Sequence, residues 1–338
     1  MLLGVFFHAA WAYVPDITPW YVVADVASRP GFAVLTSGLH SFRMELFFTL
    51  AGFFAHLVLE RRGVQGFLVD RTRRLLVPLV VAAPLAIVVD VALRRWVVAR
   101  GQFCPFGVGV RFEPGHLWFL EVLFVFSLVA WAAARAGVTG AAASRLLGRA
   151  LSVPEVLMFL GLLTGLGGVL HPELRPDRSF VPDPATLAHH GLFYAFGFLL
   201  WPVKAAREVL ERRAWWLLLA GIGLAAGVFS GRLQYQESGQ LLAGFIPWLV
   251  TLGTLSLAFR VPERERPWLR FLVDASYWVY LVHAPLVVAL QVALSREPWN
   301  PWVKYTVVVG GTLLVSLSSF GLVVRRSALA PWLGARRA

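Results

Sequence analysis

Charge is what this chain has least of. Asp, Glu, Lys and Arg make up 15% of its 338 residues, against about 25% in an average soluble domain, while the AVILMFWYC set reaches 58%. A folded globule must still solvate its surface, so this balance excludes an ordinary soluble enzyme and equally a disordered or fibrous chain. Cysteine is nearly absent: the single Cys104 excludes an intrachain disulfide and any cysteine-based zinc site. Also missing are a phosphate-binding glycine loop, a His-Glu-x-x-His pair, a Gly-x-Ser-x-Gly elbow and any internal repeat. Acidic residues are scarce, 19 against 31 Lys and Arg, for a net charge of +12. That excess does not indicate nucleic acid as a partner, because the basic residues fall in short clusters between apolar runs, as membrane topology demands. The first residues lack the charged n-region and the small-residue cleavage site of a signal peptide.

What is present is a succession of long apolar runs. Ten spans, at 1–14, 40–59, 75–93, 116–136, 153–170, 189–203, 215–230, 240–259, 274–294 and 305–324, predict an all-α polytopic membrane helix bundle, read as one integral membrane domain over 1–338. The first run rises only about 21 Å at 1.5 Å per residue, short of a hydrocarbon core of about 30 Å. The first helix therefore reads as truncated, and the natural start is expected upstream of Met1. Placing the N-terminus in the cytoplasm puts 20 of the 31 Lys and Arg in cytoplasmic segments, which predicts an N-in, C-in orientation. Arg94, Arg95, Arg100 and Arg111 crowd one outer loop against that trend. Gly223, Gly227 and Gly231 recur every four residues and suit close helix packing.

Ionisable residues inside apolar spans are costly and usually face a polar interior. On the expected topology His8 lies about 9 Å below the outer surface, and Glu45 and Glu121 about 8 Å. Arg43 and His116 sit just above them and His283 nearer mid-membrane. A shared layer of such groups points to a catalytic or transport cavity; the alternative is a set of separate structural pairs, such as Arg43 with Glu121, or a histidine bonded to a backbone carbonyl. His56 and Asp90 lie near helix ends and read as interfacial or packing residues. His171, His189 and His190 read as solvated outer-loop histidines, and no metal is expected, since they lack ligand spacing. A second constellation is cytoplasmic: Glu60-Arg61-Arg62-Gly63, then Asp70-Arg71-Thr72-Arg73-Arg74. On a helix Arg71 and Arg74 share a face, and guanidinium forks at that spacing suit a phosphate-bearing ligand. On charge alone, topological anchoring is the better account of them.

The blocks Met1–Tyr13 (MLLGVFFHAAWAY), Leu39–Phe54 (LHSFRMELFFTLAGFF), Arg71–Pro78 (RTRRLLVP), Gly115–Leu123 (GHLWFLEVL) and Ala275–Pro285 (ASYWVYLVHAP) occur in the order seen in the membrane acyltransferase family 3. The chain resembles that family over nearly its whole length. The resemblance implies that His8 is the catalytic first-helix histidine. It implies that Arg71 and Arg74, with Arg73 between them, form the cytoplasmic arginine motif associated with an acyl-CoA donor, which reverses the preference for anchoring. Arg43, His116, Trp118, Tyr280 and His283 match recurring positions. The implied reaction moves a succinyl or acetyl group from cytoplasmic acyl-CoA, a donor substrate and not a resident cofactor, to a hydroxyl of an extracytoplasmic glucan or other glycan at the bacterial inner membrane.

In that reaction His8 acts as base or as nucleophile. Glu45 or Glu121 orients it, and Arg43 stabilises negative charge on the acyl carbonyl or binds a succinyl carboxylate. His116, Trp118, Tyr280 and His283 line the substrate site. The arginines are expected about 20 Å from His8. Two departures stand out: the family carries an arginine upstream of its histidine, at a place that here falls before Met1, and Ala51 stands where many relatives have serine. The rival reading is a secondary transporter with a buried His/Glu proton relay, against which the chain has no internal repeat and no paired broken helices.

Overall fold

The computed structural model describes residues 1–18, 20–138, 154–170, 179–202, 204–229, 237–261, 266–327 and 330. Among the described residues eleven helices follow one another: α1 (Leu3–Trp11), α2 (Pro30–Arg71), α3 (Val77–Ala99), α4 (Trp118–Arg135), α5 (Pro154–Leu170), α6 (Pro184–Leu200), α7 (Lys204–Phe229), α8 (Glu237–Ala243), α9 (Phe245–Arg260), α10 (Pro267–Leu294) and α11 (Pro301–Leu322). A π turn, Thr72–Leu76, joins α2 to α3, and 3₁₀ turns occupy Gly115–Leu117 and Val324–Arg326. Among the described residues there is no strand. Proline opens α2, α6, α10 and α11, where its missing N–H costs nothing. Asp183 caps α6 by accepting from the Thr186 N–H at 3.0 Å, and Asn300 caps α11 by accepting from the Trp302 N–H at 2.9 Å. Within α2, Gly63 adopts φ 68° and ψ 177°, a kink that a residue with a Cβ strongly resists.

Among the described residues six helical stretches are long and apolar enough to cross a membrane, against the ten spans expected. The expected spans at 40–59 and 75–93 both lie in the stretch Pro30–Ala99, which counts as one of the six although its backbone breaks at Gly63 between them. Three other expected spans fall on helices of 9 to 17 residues, α1, α5 and α6, which are short for a crossing.

The helices assemble into two groups with α1 between them. Met44 and Phe48 of α2, Leu120 and Phe126 of α4, Phe193 of α6 and Trp248 of α9 share one apolar core. A second core joins Val5 and Ala9 of α1 to Val279 and Val287 of α10 and Val308 of α11. α1 packs on α2, α10 and α11 alike. The closest seam is α2 on α6: a Cβ on Gly52 would collide with the Tyr194 carbonyl, and one on Gly197 with the Thr49 carbonyl. The glycines singled out by spacing do not serve this purpose. Gly223 and Gly227 face open space, and Gly231 lies outside the described residues. On the same helix, Gly221 instead meets Val250 of α9.

The segment between α1 and α2 is laced onto the end of the bundle. Asp25 N–H donates to Ala12 O, Arg29 N–H to Tyr13 O and Val26 N–H to Ser295 O, at 3.0 to 3.1 Å. Lys304 Nζ reaches both oxygens of Asp25, at 2.7 and 2.9 Å. Both side chains are sealed from solvent.

Candidate active site

α1 carries His8 into the junction of the two groups. The last turn of this short helix leaves carbonyls without helical partners. The Gln291 side chain of α10 satisfies two of them, donating to His8 O at 3.0 Å and Ala9 O at 3.1 Å, while Tyr21 Oη donates to Gln291 Oε1 at 2.9 Å. The backbone of His8 is thereby fixed, yet among the described residues its partly exposed ring has no hydrogen-bond partner. Gly4, one turn earlier, lets α1 approach α10 closely: a Cβ there would stand 3.2 Å from His283 Nε2.

Two further imidazoles meet His8. Its ring centroid lies 5.3 Å from that of His283, which lies 5.7 Å from that of His116. Both neighbours are committed to backbone carbonyls. His283 Nδ1 is 2.7 Å from Tyr280 O, and His116 Nε2 is 3.1 Å from Leu281 O. A carbonyl only accepts, so these nitrogens carry the protons. His283 Nε2 is then a bare acceptor, buried and unpartnered, on the side of α1. Tyr280 Oη donates to the His116 carbonyl at 2.8 Å, closing the clip between the 3₁₀ turn and α10. Arg43, buried, lies over the Phe7 ring at 3.7 Å with Nη1 unpartnered. Phe7 also stacks on His40 at 5.6 Å.

The carboxylates are placed differently from expectation. Glu45 is directed at α6, not at His8: its Oε1 is 2.9 Å from His189 Nε2. Glu121 is partly exposed and forms no hydrogen bond or ion pair among the described residues, so the alternative pairing of Arg43 with Glu121 does not occur. His189 and His190, read as solvated loop residues, lie inside α6; His190 is buried, stacked on Phe48 at 4.5 Å and 5.3 Å from Trp118. Trp118 therefore belongs with the α6 histidines and not with His8. His171 lies outside the described residues.

At the other end of α2 a single buried carboxylate organises the arginines. Asp70 pairs with Arg62 at 2.8 Å, Arg74 at 3.2 Å and Arg71 at 3.9 Å. The kink at Gly63 turns Arg62 back toward Asp70. Arg71 lies over Phe67 at 5.3 Å, and its Nε is buried without a hydrogen-bond partner, facing the Asp70 carboxylate at 3.9 Å. Arg73 is exposed. The sequence reading grouped Arg62 with this constellation but did not foresee that Asp70 joins it to Arg74 and Arg71.

A row of side chains on α10 connects the two constellations. Tyr277 Oη donates to the Arg74 carbonyl at 2.5 Å. Along the same face of α10, Tyr277 stacks on Tyr280 at 6.3 Å, Tyr280 lies 6.1 Å from His283, and His283 meets His8. From Tyr277 to His283 is about 9 Å of helical rise. The π turn that carries Arg73 and Arg74 packs against α4 and α3.

The structure is a multi-helix bundle with helices long and apolar enough to cross a membrane, a histidine cluster where its two groups meet and an arginine cluster around Asp70. A family model described as an acyltransferase domain matches residues 1–320, and the chain belongs to this acyltransferase 3 family. It is similar to glucans biosynthesis protein C of Escherichia coli strain K12, 22% identical over 333 residues that cover 90% of this chain and 84% of that protein. It is 24% identical to the Salmonella typhi protein of the same name over 317 residues, 85% of this chain and 79% of that one. No solved structure matches the chain.

Proposed function

We propose that this acyltransferase moves a succinyl or acetyl group from cytoplasmic acyl-CoA to a hydroxyl of an extracytoplasmic glucan or related glycan. In this reading it works as one domain of the bacterial inner membrane with both termini in the cytoplasm. The observation that carries it is the uncommitted ring of His8, held by its backbone where α1, α2 and α10 meet, beside a second imidazole that offers a lone pair. A histidine with an ordinary pKa near 6.5 suits proton transfer at neutral pH. His8 takes the proton of the acceptor hydroxyl; the oxygen bonds to the thioester carbonyl carbon; the carbon–sulfur bond breaks; and the proton passes to the leaving thiolate. His283 Nε2 accepts from the ring of His8 and orients it, the part assigned to Glu45 or Glu121 on sequence alone. Arg43 supports the carbonyl oxygen as charge develops. Arg71 and Arg74 hold the donor phosphates, and the row from Tyr277 to His283 leads inward from them. The glucan acceptor is suggested by the names of the relatives.

The test is purified protein with radiolabelled succinyl-CoA and acetyl-CoA and a panel of glucans, beside His8→Ala. Loss of a general base costs about 10²- to 10⁴-fold, with expression and detergent behaviour unchanged because the ring makes no hydrogen bond that holds the fold. Transfer surviving in His8→Ala within about tenfold of wild type overturns the assignment.

A further inference from the structure

We propose that Glu45, His189 and His190 form a binding site for one divalent transition-metal ion, best matched by zinc, at the seam between α2 and α6. A ring nitrogen of each histidine and a carboxylate oxygen of Glu45 lie within 4.8 Å of one another. Two imidazoles and one carboxylate are the protein ligands of zinc sites that keep a fourth position open. Zinc stands about 2.0–2.2 Å from such donors, so the triangle closes on an ion by modest side-chain rotation.

The unpaired atoms point to a cation. Glu45 is 7% exposed, and only its Oε1 has a partner; Oε2 is buried without one. His190 is 6% exposed, and its Nδ1 is likewise buried and unpartnered. Open lone pairs in apolar surroundings are costly, and the packing around His190 is Phe48 stacked on its ring with Trp118 tilted beside it. A plain pair between Glu45 and His189 leaves both Oε2 and His190 Nδ1 unsatisfied, whereas one cation draws on the whole trio. Arg43 does not substitute for it: residues two apart on a helix do not face each other, and its guanidinium lies over Phe7.

Zinc is favoured by a further constraint. His189 and His190 are consecutive on α6, so the helix dictates the angle between them. Zinc has no geometric preference from its d-electrons and accepts an imposed angle. On binding, the proton of His189 Nε2 moves to Nδ1, and the freed lone pair and the carboxylate turn to the ion. The ion then fastens α2 to α6 two helical turns from the backbone contact at Gly52. This site is independent of the acyl-transfer chemistry proposed for His8.

The experiment uses the full chain, purified in detergent by a tag without histidine, incubated with excess zinc sulfate and desalted. Inductively coupled plasma mass spectrometry should find about one zinc per chain. Zinc should fall at least about tenfold in Glu45→Gln and in His190→Phe, the latter keeping the stack on Phe48 beside Trp118. Both variants are checked for a monodisperse elution matching wild type. Cobalt(II) loading of the wild-type protein gives a reading that needs no variant: intense visible bands of a four- or five-coordinate ion support the site. A wild-type chain that retains no zinc above the detergent blank overturns the proposal. So does a six-coordinate aqua-like cobalt spectrum, or full zinc in both variants.

Discussion

Replacing Lys304 by Met tests how the buried pair at the end of α11 is balanced. Lys304 and Asp25 are sealed from water, with Nζ 2.7 and 2.9 Å from the two carboxylate oxygens. Burial pushes the Asp25 carboxyl above its ordinary 3.8, against the opposing pull of Lys304 and the Ala27 N–H. Desolvation therefore outweighs the attraction. A carboxyl whose folded pKa is raised favours folding at low pH, and that contribution is lost as pH rises through the folded value. Without Lys304 the carboxylate has no cation and escapes by taking a proton. Holding that proton at pH 7, far above 3.8, costs roughly 4 kcal/mol at about 1.36 kcal/mol per pH unit, in line with the 3–5 kcal/mol typical of breaking a buried pair.

Thermal unfolding in detergent, followed by tryptophan fluorescence, should show Lys304→Met melting on the order of 8 °C below wild type at pH 7. The deficit should shrink by about 1.4 kcal/mol for each pH unit below 7. Asp25→Leu combined with Lys304→Met should recover wild-type stability or exceed it, since two apolar groups of similar size leave no charge to desolvate. A single variant that melts with wild type would refute this balance. So would a deficit unchanged at pH 5, or a double variant as unstable as the single.

Three shorter predictions accompany it. Arg71→Lys with Arg74→Lys keeps the charge but loses the planar fork, so acyl-CoA affinity, measured by isothermal titration with topology confirmed, should drop at least about tenfold; wild-type affinity would leave only an anchoring role. Asp70→Asn removes the negative charge shared by Arg62, Arg71 and Arg74, and should weaken the same affinity while leaving a glycan-only binding signal unchanged. Gly197→Ala drives a methyl group into the Thr49 carbonyl and should cost about 1–3 kcal/mol by overpacking, read as a lower melting temperature, whereas Gly223→Ala, in open space, should be neutral.

Depth was legible in the sequence and azimuth was not. Rise per residue is fixed at 1.5 Å, so counting from the ends of apolar runs placed His8 and His116 close in depth with His283 nearer mid-membrane, and the structure brings the three rings together. Counting also placed Glu45 and Glu121 there, but a side chain two positions further along a helix points about 200° away. Whether Glu45 faced α1 or α6 depended on which helix lay alongside, and that was decided by the glycine contacts at Gly52 and Gly197. His189 was missed for the same reason: its partner lies 144 residues away. Composition announced the helix bundle plainly. Past the kink at Gly63 the backbone runs on without interruption through Arg71, Arg73 and Arg74 from α2 into α3.

That uninterrupted run makes Arg71, Arg74 and α3 one shaft. A π turn holds one residue more than the α-helix it interrupts, and each residue is worth about 100° of rotation. Removing a single residue from Thr72–Leu76 would therefore leave regular α-helix through the junction, with only that one side chain lost. It would also turn the arginine motif by about a quarter revolution against everything α3 touches. The extra residue acts as a phase setting: it lets Asp70 and its arginines face the mouth of the bundle while Leu75, Leu79 and Ala83 face its core.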